Sequence, residues 1–338
     1  MLDKINNLIY AILAIIMSLI VGAILIILIG KNPLEAYSIL FQESLFNYYG
    51  FANTLSKTSP LLLSSLGILI ALKGGQFNIG GEGQIYLGAL GSTLVGLFIK
   101  DIPSFLHIIL TLMFGFVLGA LWGLIPGFLK AYRGINEVIT TLLLNYIAID
   151  FISYLVNHSL AEANAPSAYS PLISESAKLP IILPKTLAHA GIFVGIIAMI
   201  IVGILLQKTI LGYEIEVVGI NPKAATYGGI SVSKIIILVM ALSGGLCGLA
   251  GGTEVMGLKY RLFENFSPGY GFNAVAIAFL SRGNVFGVLL TSLFFGALLS
   301  GANIMQRSVE VPVTIVTVIQ GLTLLLIGIS SQIQKNQN

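Results

Sequence analysis

Polar side chains that could hydrogen-bond a small uncharged molecule are concentrated in glycine-rich stretches of an otherwise apolar sequence. Residues 71–92 read ALKGGQFNIGGEGQIYLGALGS and carry the polar side chains of Lys73, Gln76, Asn78, Glu82 and Gln84. Backbone that leaves helical geometry at membrane depth is tolerated only where protein or a water-filled cavity satisfies its polar groups. The stretch is therefore predicted to lie at a membrane interface or beside an aqueous path. A polar hairpin between two helices is the simpler alternative.

A second interrupted stretch, residues 264–283, reads ENFSPGYGFNAVAIAFLSRG. Its tripeptide GFN at 271–273 echoes the tripeptide QFN at 76–78, although the echo is too short to establish an internal repeat. In transporters, glycine- and proline-interrupted segments in corresponding positions of two halves point to a binding site near the membrane midplane. Both stretches fit a solute path better than a featureless helical bundle.

Residue patterns for catalysis or metal binding do not occur in the sequence. There is no phosphate-binding loop of the form GxxxxGK[ST], so the chain itself is not expected to hydrolyse ATP. The three histidines are scattered, and no metal-spaced His/Cys/Asp cluster occurs, so no bound metal or cofactor is expected. The single cysteine, Cys247, lies in an apolar run and is interpreted as a packing residue. Apolar runs hold few charges, which argues against a proton-driven carrier but leaves a sodium-driven one open.

The composition is that of an integral membrane protein. Of 338 residues, 56% are hydrophobic and 9% are charged, and the mean hydropathy is +0.96. Soluble domains carry about 25% charged residues, so this chain has too little polar surface to remain dissolved. The net charge of +3, without a basic cluster, indicates no nucleic-acid partner.

Ten apolar runs predict the architecture, because a membrane-spanning helix needs about 20 apolar residues. The ten are Leu8–Ile29, Thr54–Leu72, Gly83–Ile99, Phe105–Leu129, Val138–Val156, Gly191–Gln207, Ile235–Gly251, Gly271–Leu280, Val285–Ile304 and Val313–Ile329. The eighth has only ten residues and is interpreted as a half-helix or re-entrant piece. The predicted fold is an all-α transmembrane bundle of eight to ten spans, one or two of them broken, forming a single domain over residues 1–338.

Two polar segments interrupt the apolar pattern. Residues 157–190, rich in Pro, Ser and Ala, are predicted to form an external loop, either a docking surface or a plain solvated connector. Residues 209–233 are predicted to lie in the cytoplasm. With the amino terminus inside, ten crossings leave nine basic residues in the cytoplasm against eight outside, Lys57 and Lys259 among the latter. That ratio does not decide the orientation under the positive-inside rule.

The cytoplasmic segment contains a short helix with its own start and stop signals. Asn221 is a strong N-cap, and Pro222 suits the first helical position, where no N–H is needed. Ala224 and Ala225 favour helix, and the following Gly pair can end it. A helix of barely two turns is unstable alone in water, so we expect it to pack on a partner surface. A capped surface loop without a partner is the alternative.

Four motifs resemble a known family of membrane proteins. They are FNIGGEGQIYLGA at 77–89, INEVITTLLLNYIA at 135–148, GYEIEVVGINPKAATYGGISV at 212–232 and FSPGYGFNAVAIAFLSRG at 266–283. Together they are similar to the branched-chain amino acid, ribose and nucleoside permeases of ABC importers, and most similar to the nucleoside and simple-sugar branch. The resemblance covers roughly residues 50 to 330 in the order of the family.

The resemblance implies an assembly in the bacterial cytoplasmic (inner) membrane. Two permeases, a paralogous pair or two copies of one chain, would enclose a central path, and an external binding lipoprotein would deliver the solute. A separate cytoplasmic ABC ATPase would bind and hydrolyse ATP. The short helix would be its coupling element, formed by Glu214, Gly219, Asn221, Pro222, Ala224 and Ala225. Relatives often have a basic residue where Glu214 or Glu216 stands here, which affects which ATPase is accepted.

The resemblance also implies alternating access for a small polar solute. Nucleosides are the expected solute, and ribose or another simple sugar is the alternative solute. An ion-coupled secondary transporter is the alternative to an ATP-driven importer. A path that receives solute from a tight external binder needs little affinity of its own. It is therefore predicted to be lined by glycine and by uncharged polar groups: Asn78, Gln84, Asn145 and Asn273.

Overall fold

The computed structural model describes the backbone of residues 2–163 and 167–337 and the side chains of residues 12–163 and 167–329. Met1, residues 164–166 and Asn338 belong to the predicted domain but lie outside the described residues. The α-helices are α1 (Leu2–Leu28), α2 (Pro33–Leu45), α3 (Tyr48–Lys73), α4 (Gly81–Phe98), α5 (Ser104–Arg133), α6 (Glu137–Asn157), α7 (Gly191–Lys208), α8 (Ile210–Ile220), α9 (Pro222–Tyr227), α10 (Val232–Glu254), α11 (Tyr270–Leu280), α12 (Val285–Val309) and α13 (Val313–Gln337). A 3₁₀ turn spans Glu175–Ala177, and a π-helix at Val255–Lys259 continues α10.

The structure confirms the predicted all-α bundle, and each of the ten apolar runs forms a helix. Helices α2 and α8 were not predicted, because neither contains a long apolar run. Their start signals are nevertheless present in the sequence. The Asn32 side chain accepts a hydrogen bond from Leu34 N–H ahead of α2, and Thr209 does the same for Gly212 N–H ahead of α8.

Six helices in the described part of the chain are long and apolar enough to cross a membrane: α3, α5, α6, α7, α10 with its π-helix, and α12. Three shorter apolar segments accompany them, Ile12–Leu28, Tyr270–Leu280 and Val313–Ile329. Helix α4, the third predicted run, is not among these candidates, and other helices bury it along almost its whole length. The predicted half-helix is α11, which has 11 residues.

Two spanning helices extend beyond the apolar runs that predicted them. Helix α3 begins at Tyr48, and α10 with its π-helix continues to Lys259. Lys57 lies inside the predicted run Thr54–Leu72, although the charge count placed it on the external side. Glu254 and Lys259 lie within a candidate span but beyond the predicted run, which ended at Gly251. The apolar pattern ended too early because other parts of the protein, rather than lipid, surround these polar side chains.

The predicted external loop lies at the end of the bundle opposite α9. Its backbone pairs with the segment that follows α10: Ile173 N–H donates to the Tyr260 carbonyl at 2.9 Å, and Leu179 N–H donates to the Met256 carbonyl at 2.9 Å. These bonds attach the loop to the bundle, apart from 164–166, which lie outside the described residues. Its assignment to the external side stays a prediction.

Glycine allows α5 and α10 to pack with their backbones in contact. A Cβ added to Gly248 of α10 would lie 2.2 Å from the carbonyl oxygen of Gly115, and one added to Gly119 of α5 would lie 2.3 Å from that of Gly244. Membrane helices associate through such close approach, because lipid supplies no hydrophobic driving force between them. The α5–α10 contact therefore depends on residues without side chains.

Replacing Gly248 by Leu should separate these helices and destabilise the fold. The added side chain has only backbone around it, and overpacking a close-packed interior typically costs about 1–3 kcal/mol or more. We expect a lower midpoint of thermal unfolding in detergent and a smaller monodisperse fraction. Gly321→Leu on α13 is the matched control, because no atom lies within 4 Å of a Cβ added there. Equal unfolding midpoints for the two variants would contradict this account of the packing.

Candidate transport site and coupling element

The two glycine-interrupted stretches meet inside the bundle, at the first residues of α4 and α11. After α3 ends, Gly75 adopts φ +72°, and residues 76–80 run back into the protein without helical structure until α4 begins. Gly269, at φ +86°, precedes α11. A Cβ added to Gly271 would lie 2.1 Å from the backbone nitrogen of Glu82, so only glycine permits this contact. The first residues of α4 and α11 thus touch directly.

The Glu82 carboxylate joins these two helix starts. Its Oε2 accepts a hydrogen bond from Gly271 N–H at 2.7 Å, and Gly269 N–H and the Ser267 hydroxyl also bond to the carboxylate. The residue is 3% exposed. A carboxylate at a helix N-terminus accepts from N–H groups that have no partner within the helix and interacts favourably with the helix dipole. The sequence analysis noted Glu82 as polar but assigned it no role.

Three of the four predicted path residues hold the interrupted stretch at 76–83 in place. Asn78 Nδ2 donates to Gln84 Oε1 and to Ser243 Oγ, both at 2.8 Å, and its Oδ1 accepts from Gly80 N–H at 2.9 Å. Asn145 of α6 accepts from Gly83 N–H at 2.8 Å and donates to the Ile79 carbonyl at 2.9 Å. These amides are buried and bonded within the protein, which is an anchoring arrangement.

The fourth predicted path residue, Asn273, lies in the first turn of α11 and is half-buried. Its neighbour Phe272 is 41% exposed. Asn273 is therefore the one predicted path amide that has exposed surface in this conformation. Contact with solute stays a prediction for all four residues.

The short helix predicted in the polar segment 209–233 is α9. Asn221 Oδ1 accepts from the N–H groups of Lys223 and Ala224, both at 3.1 Å, and Pro222 occupies the first turn. Ala224 is exposed and Tyr227 is 94% exposed, whereas Ala225 is fully buried against the bundle. Glu214, on α8, is half-buried. Of the two predicted alanines, one is thus exposed and the other buried, and Tyr227, which lies in the predicted helix but was given no role of its own, is almost fully exposed.

Backbone contact connects the α8–α9 element to the interrupted stretch. A Cβ added to Gly219 would lie 2.0 Å from the carbonyl oxygen of Lys73, the last residue of α3, and one added to Gly75 would lie 3.1 Å from Gly219 Cα. The Lys73 ammonium lies 3.5 Å from the Glu216 carboxylate. A displacement of α9 would therefore act directly on the chain that leads to Asn78 and Glu82.

Spanning helices packed around the buried helix α4 and the half-helix α11, with a capped helix at one end, define a multi-pass membrane transport protein. Residues 50–328 match the model of the family described as branched-chain amino acid transport system / permease component. The chain belongs to this permease family and is a transport subunit.

Curated relatives match almost the whole chain. It is 34% identical to the nucleoside ABC transporter permease protein NupB of Lactococcus lactis, over 97% of this chain and 92% of that protein. It is 33% identical to the guanosine ABC transporter permease protein NupP of Bacillus subtilis, over 99% and 97% respectively. It is 34% identical to the glucose ABC transporter permease protein TsgB13 of Haloferax volcanii, over 94% and 86%.

All three organisms also have a second, more distant relative of the chain. NupC of L. lactis is 26% identical and NupQ of B. subtilis is 28% identical, each over 72% of this chain. Permeases of this family thus occur as paralogues in one organism. No solved structure matches the chain.

Proposed function

We propose that the chain is the permease subunit of an ATP-driven importer that takes up nucleosides. The observation that carries this proposal is its similarity to nucleoside and guanosine permeases over nearly the full length of each protein. The equal identity to a glucose permease keeps ribose or another simple sugar as the second candidate. Nucleosides, guanosine and glucose all carry adjacent hydroxyl groups on a ring, so a hydroxyl-bearing ring is the shared chemistry.

We further propose the assembly in which this subunit works. Its α9 end faces the cytoplasm, where a separate ABC ATPase binds and hydrolyses ATP. Tyr213, Ile220 and Tyr227 give that end of the molecule exposed apolar surface, which suits docking to a protein groove. A paralogous permease, or a second copy of this chain, completes the path. An external binding lipoprotein delivers solute at the 157–190 loop, and the assembly lies in the bacterial cytoplasmic membrane.

The contacts support a mechanical route from the ATPase to the solute path. Movement of α9 acts through Gly219 on the end of α3 and on the stretch that Asn78 anchors. That stretch leads into α4, whose Glu82 holds the start of α11. Rocking of α4 and α11 changes the access of solute to the path. A ligand shifts such an equilibrium only through unequal affinity for the two states, so the inward-facing site should bind solute weakly.

Uptake by the reconstituted complex of this chain, its paralogue, the ATPase and the binding lipoprotein would test the proposal. We expect ATP-dependent accumulation of labelled guanosine or adenosine, strong competition by unlabelled nucleosides, and weak competition by free ribose or glucose. Stronger competition by the free sugars would assign the second candidate. Accumulation by the purified chain alone on a sodium or proton gradient, without nucleotide, would overturn the proposal in favour of an ion-coupled carrier.

A further inference from the structure

A lysine lies near the middle of the membrane-spanning helix α3. Lys57 follows Tyr48, the first residue of α3, by nine positions and precedes Lys73, the last, by sixteen. At a rise of about 1.5 Å per residue it is roughly 5 Å from the helix midpoint. The next residue, Thr58, packs on Gly296, close to the midpoint of α12; a Cβ added to Gly296 would lie 2.4 Å from Thr58 Oγ1. An ammonium group at this depth avoids lipid and faces protein or a water-filled cavity.

The Lys57 ammonium is bonded to the tip of the half-helix α11. Its Nζ donates to the Tyr270 hydroxyl oxygen at 3.0 Å and lies 5.6 Å from the centroid of the Tyr270 ring. Tyr270 is the first residue of α11 and is fully buried. Because its oxygen accepts from Lys57, the hydroxyl hydrogen of Tyr270 must be donated elsewhere.

A buried carboxylate lies within range of both groups. Glu254, the last residue of α10, is fully buried where the π-helix begins, and π-helical turns frequently occur at functional sites. Within the described residues, neither carboxylate oxygen accepts a hydrogen bond. Tyr270, Lys57 and Lys259 are its interaction partners, so the tyrosine hydroxyl can donate to it. Lys57 of α3, Tyr270 of α11 and Glu254 of α10 thus form a row of neighbouring polar groups.

The lysine end of this chain is open to the surroundings, whereas the glutamate end is closed. Lys57 is half-buried, and so is Asn273, which follows Tyr270 by three positions and therefore lies on the same side of α11. An ammonium group has three N–H donors, and Tyr270 takes one of those of Lys57. The other two are not used by Tyr270, and Asn273 and the 41% exposed Phe272 lie in the first turn of the same helix, α11.

We propose that Lys57 contacts the solute within the transmembrane path, donating to a ring oxygen, carbonyl or hydroxyl oxygen of an uncharged nucleoside-like molecule, with Asn273 of α11 as a second contact. Tyr270 and Glu254 are positioning residues that hold the ammonium group in place. The inference rests on the proposed function, since it concerns the path of that solute. It also extends the sequence-based expectation that the path is lined by uncharged groups alone.

Kinetics of the reconstituted complex would test this assignment. Lys57→Met should raise the KM for labelled guanosine uptake about tenfold or more, the expected loss for one hydrogen bond from a charged donor, with kcat changed less. Lys57→Arg should restore part of the affinity. Lys100→Met, at an exposed position, is the matched control and should leave KM unchanged. A wild-type KM for Lys57→Met would overturn the inference.

The positioning role predicts that the effects are not additive. Glu254→Gln should raise KM by a smaller factor than Lys57→Met, and the double variant should match Lys57→Met alone. If the single lysine variant does not fold because Glu254 loses a cation, the double variant still permits the measurement. Additive effects would overturn the positioning role. Failure of the wild-type complex to transport any nucleoside would instead reject the proposed function, so the two failures are distinguishable.

Discussion

Replacing Ala224 by Asp should abolish association with the ATPase and ATP-driven uptake, while the permease still folds and inserts. Ala224 lies on the exposed side of α9, beside the 94% exposed Tyr227, so the new carboxylate is hydrated in the free subunit. On docking it would be buried without a partner in a surface that accepted a methyl group. Burying an unpaired charge costs several kcal/mol, about 3 kcal/mol or more, which weakens association more than 100-fold.

Two alanines provide controls for this experiment. Ala163→Asp makes the same chemical change at an exposed loop position at the opposite end of the bundle, and it should leave association intact. Ala225→Asp places the charge where the side chain is fully buried against the bundle, so it should lower the stability of the isolated permease. Co-purification with the ATPase, ATPase stimulation and unfolding in detergent separate these results. Normal co-purification of the Ala224 variant would remove the coupling role from α9.

The short helix α9 could be predicted from the sequence because its start and stop signals are local. Asn221, Pro222 and the Gly228–Gly229 pair lie within nine residues and specify where a short helix starts and stops. The structure confirms that helix. That Ala224 is exposed while Ala225 is buried could not be predicted, since it depends on which side of α9 meets the bundle.

The candidate site could be predicted only as two polar stretches, because its contacts are distant in sequence. The bond between Glu82 and Gly271 joins residues 189 positions apart, and that between Lys57 and Tyr270 joins residues 213 apart. Hydropathy identified every long apolar helix, since apolar length is a property of a continuous run. It ended the α10 run before Glu254 because a polar side chain buried inside the bundle looks, in one sequence, like the end of a span.

Replacing Glu82 by Ala should abolish transport without releasing the ATPase. The carboxylate accepts from the buried Gly271 N–H at 2.7 Å and also bonds to the half-buried Gly269 N–H and Ser267 hydroxyl, at the start of α11. Without it, the buried Gly271 N–H loses its acceptor, and one unsatisfied buried group costs about 1–3 kcal/mol. The tip of α11 should then detach from α4, so that movement of the coupling helix no longer reaches the path.

The conservative variant and a neighbouring glutamate make this result specific. Glu82→Gln keeps one carbonyl oxygen that can accept from Gly271 N–H, but its NH₂ group opposes the remaining donors, so we expect partial uptake. Glu264→Ala removes an exposed carboxylate a few residues before α11 and should change uptake little. Because α8 and α9 do not contact Glu82 directly, all three variants should still co-purify with the ATPase. ATP hydrolysis that continues while uptake stops, in Glu82→Ala alone, is the expected signature of a broken link between the motor and the path. Wild-type uptake by that variant would show that α4 and α11 need no carboxylate between them to move together.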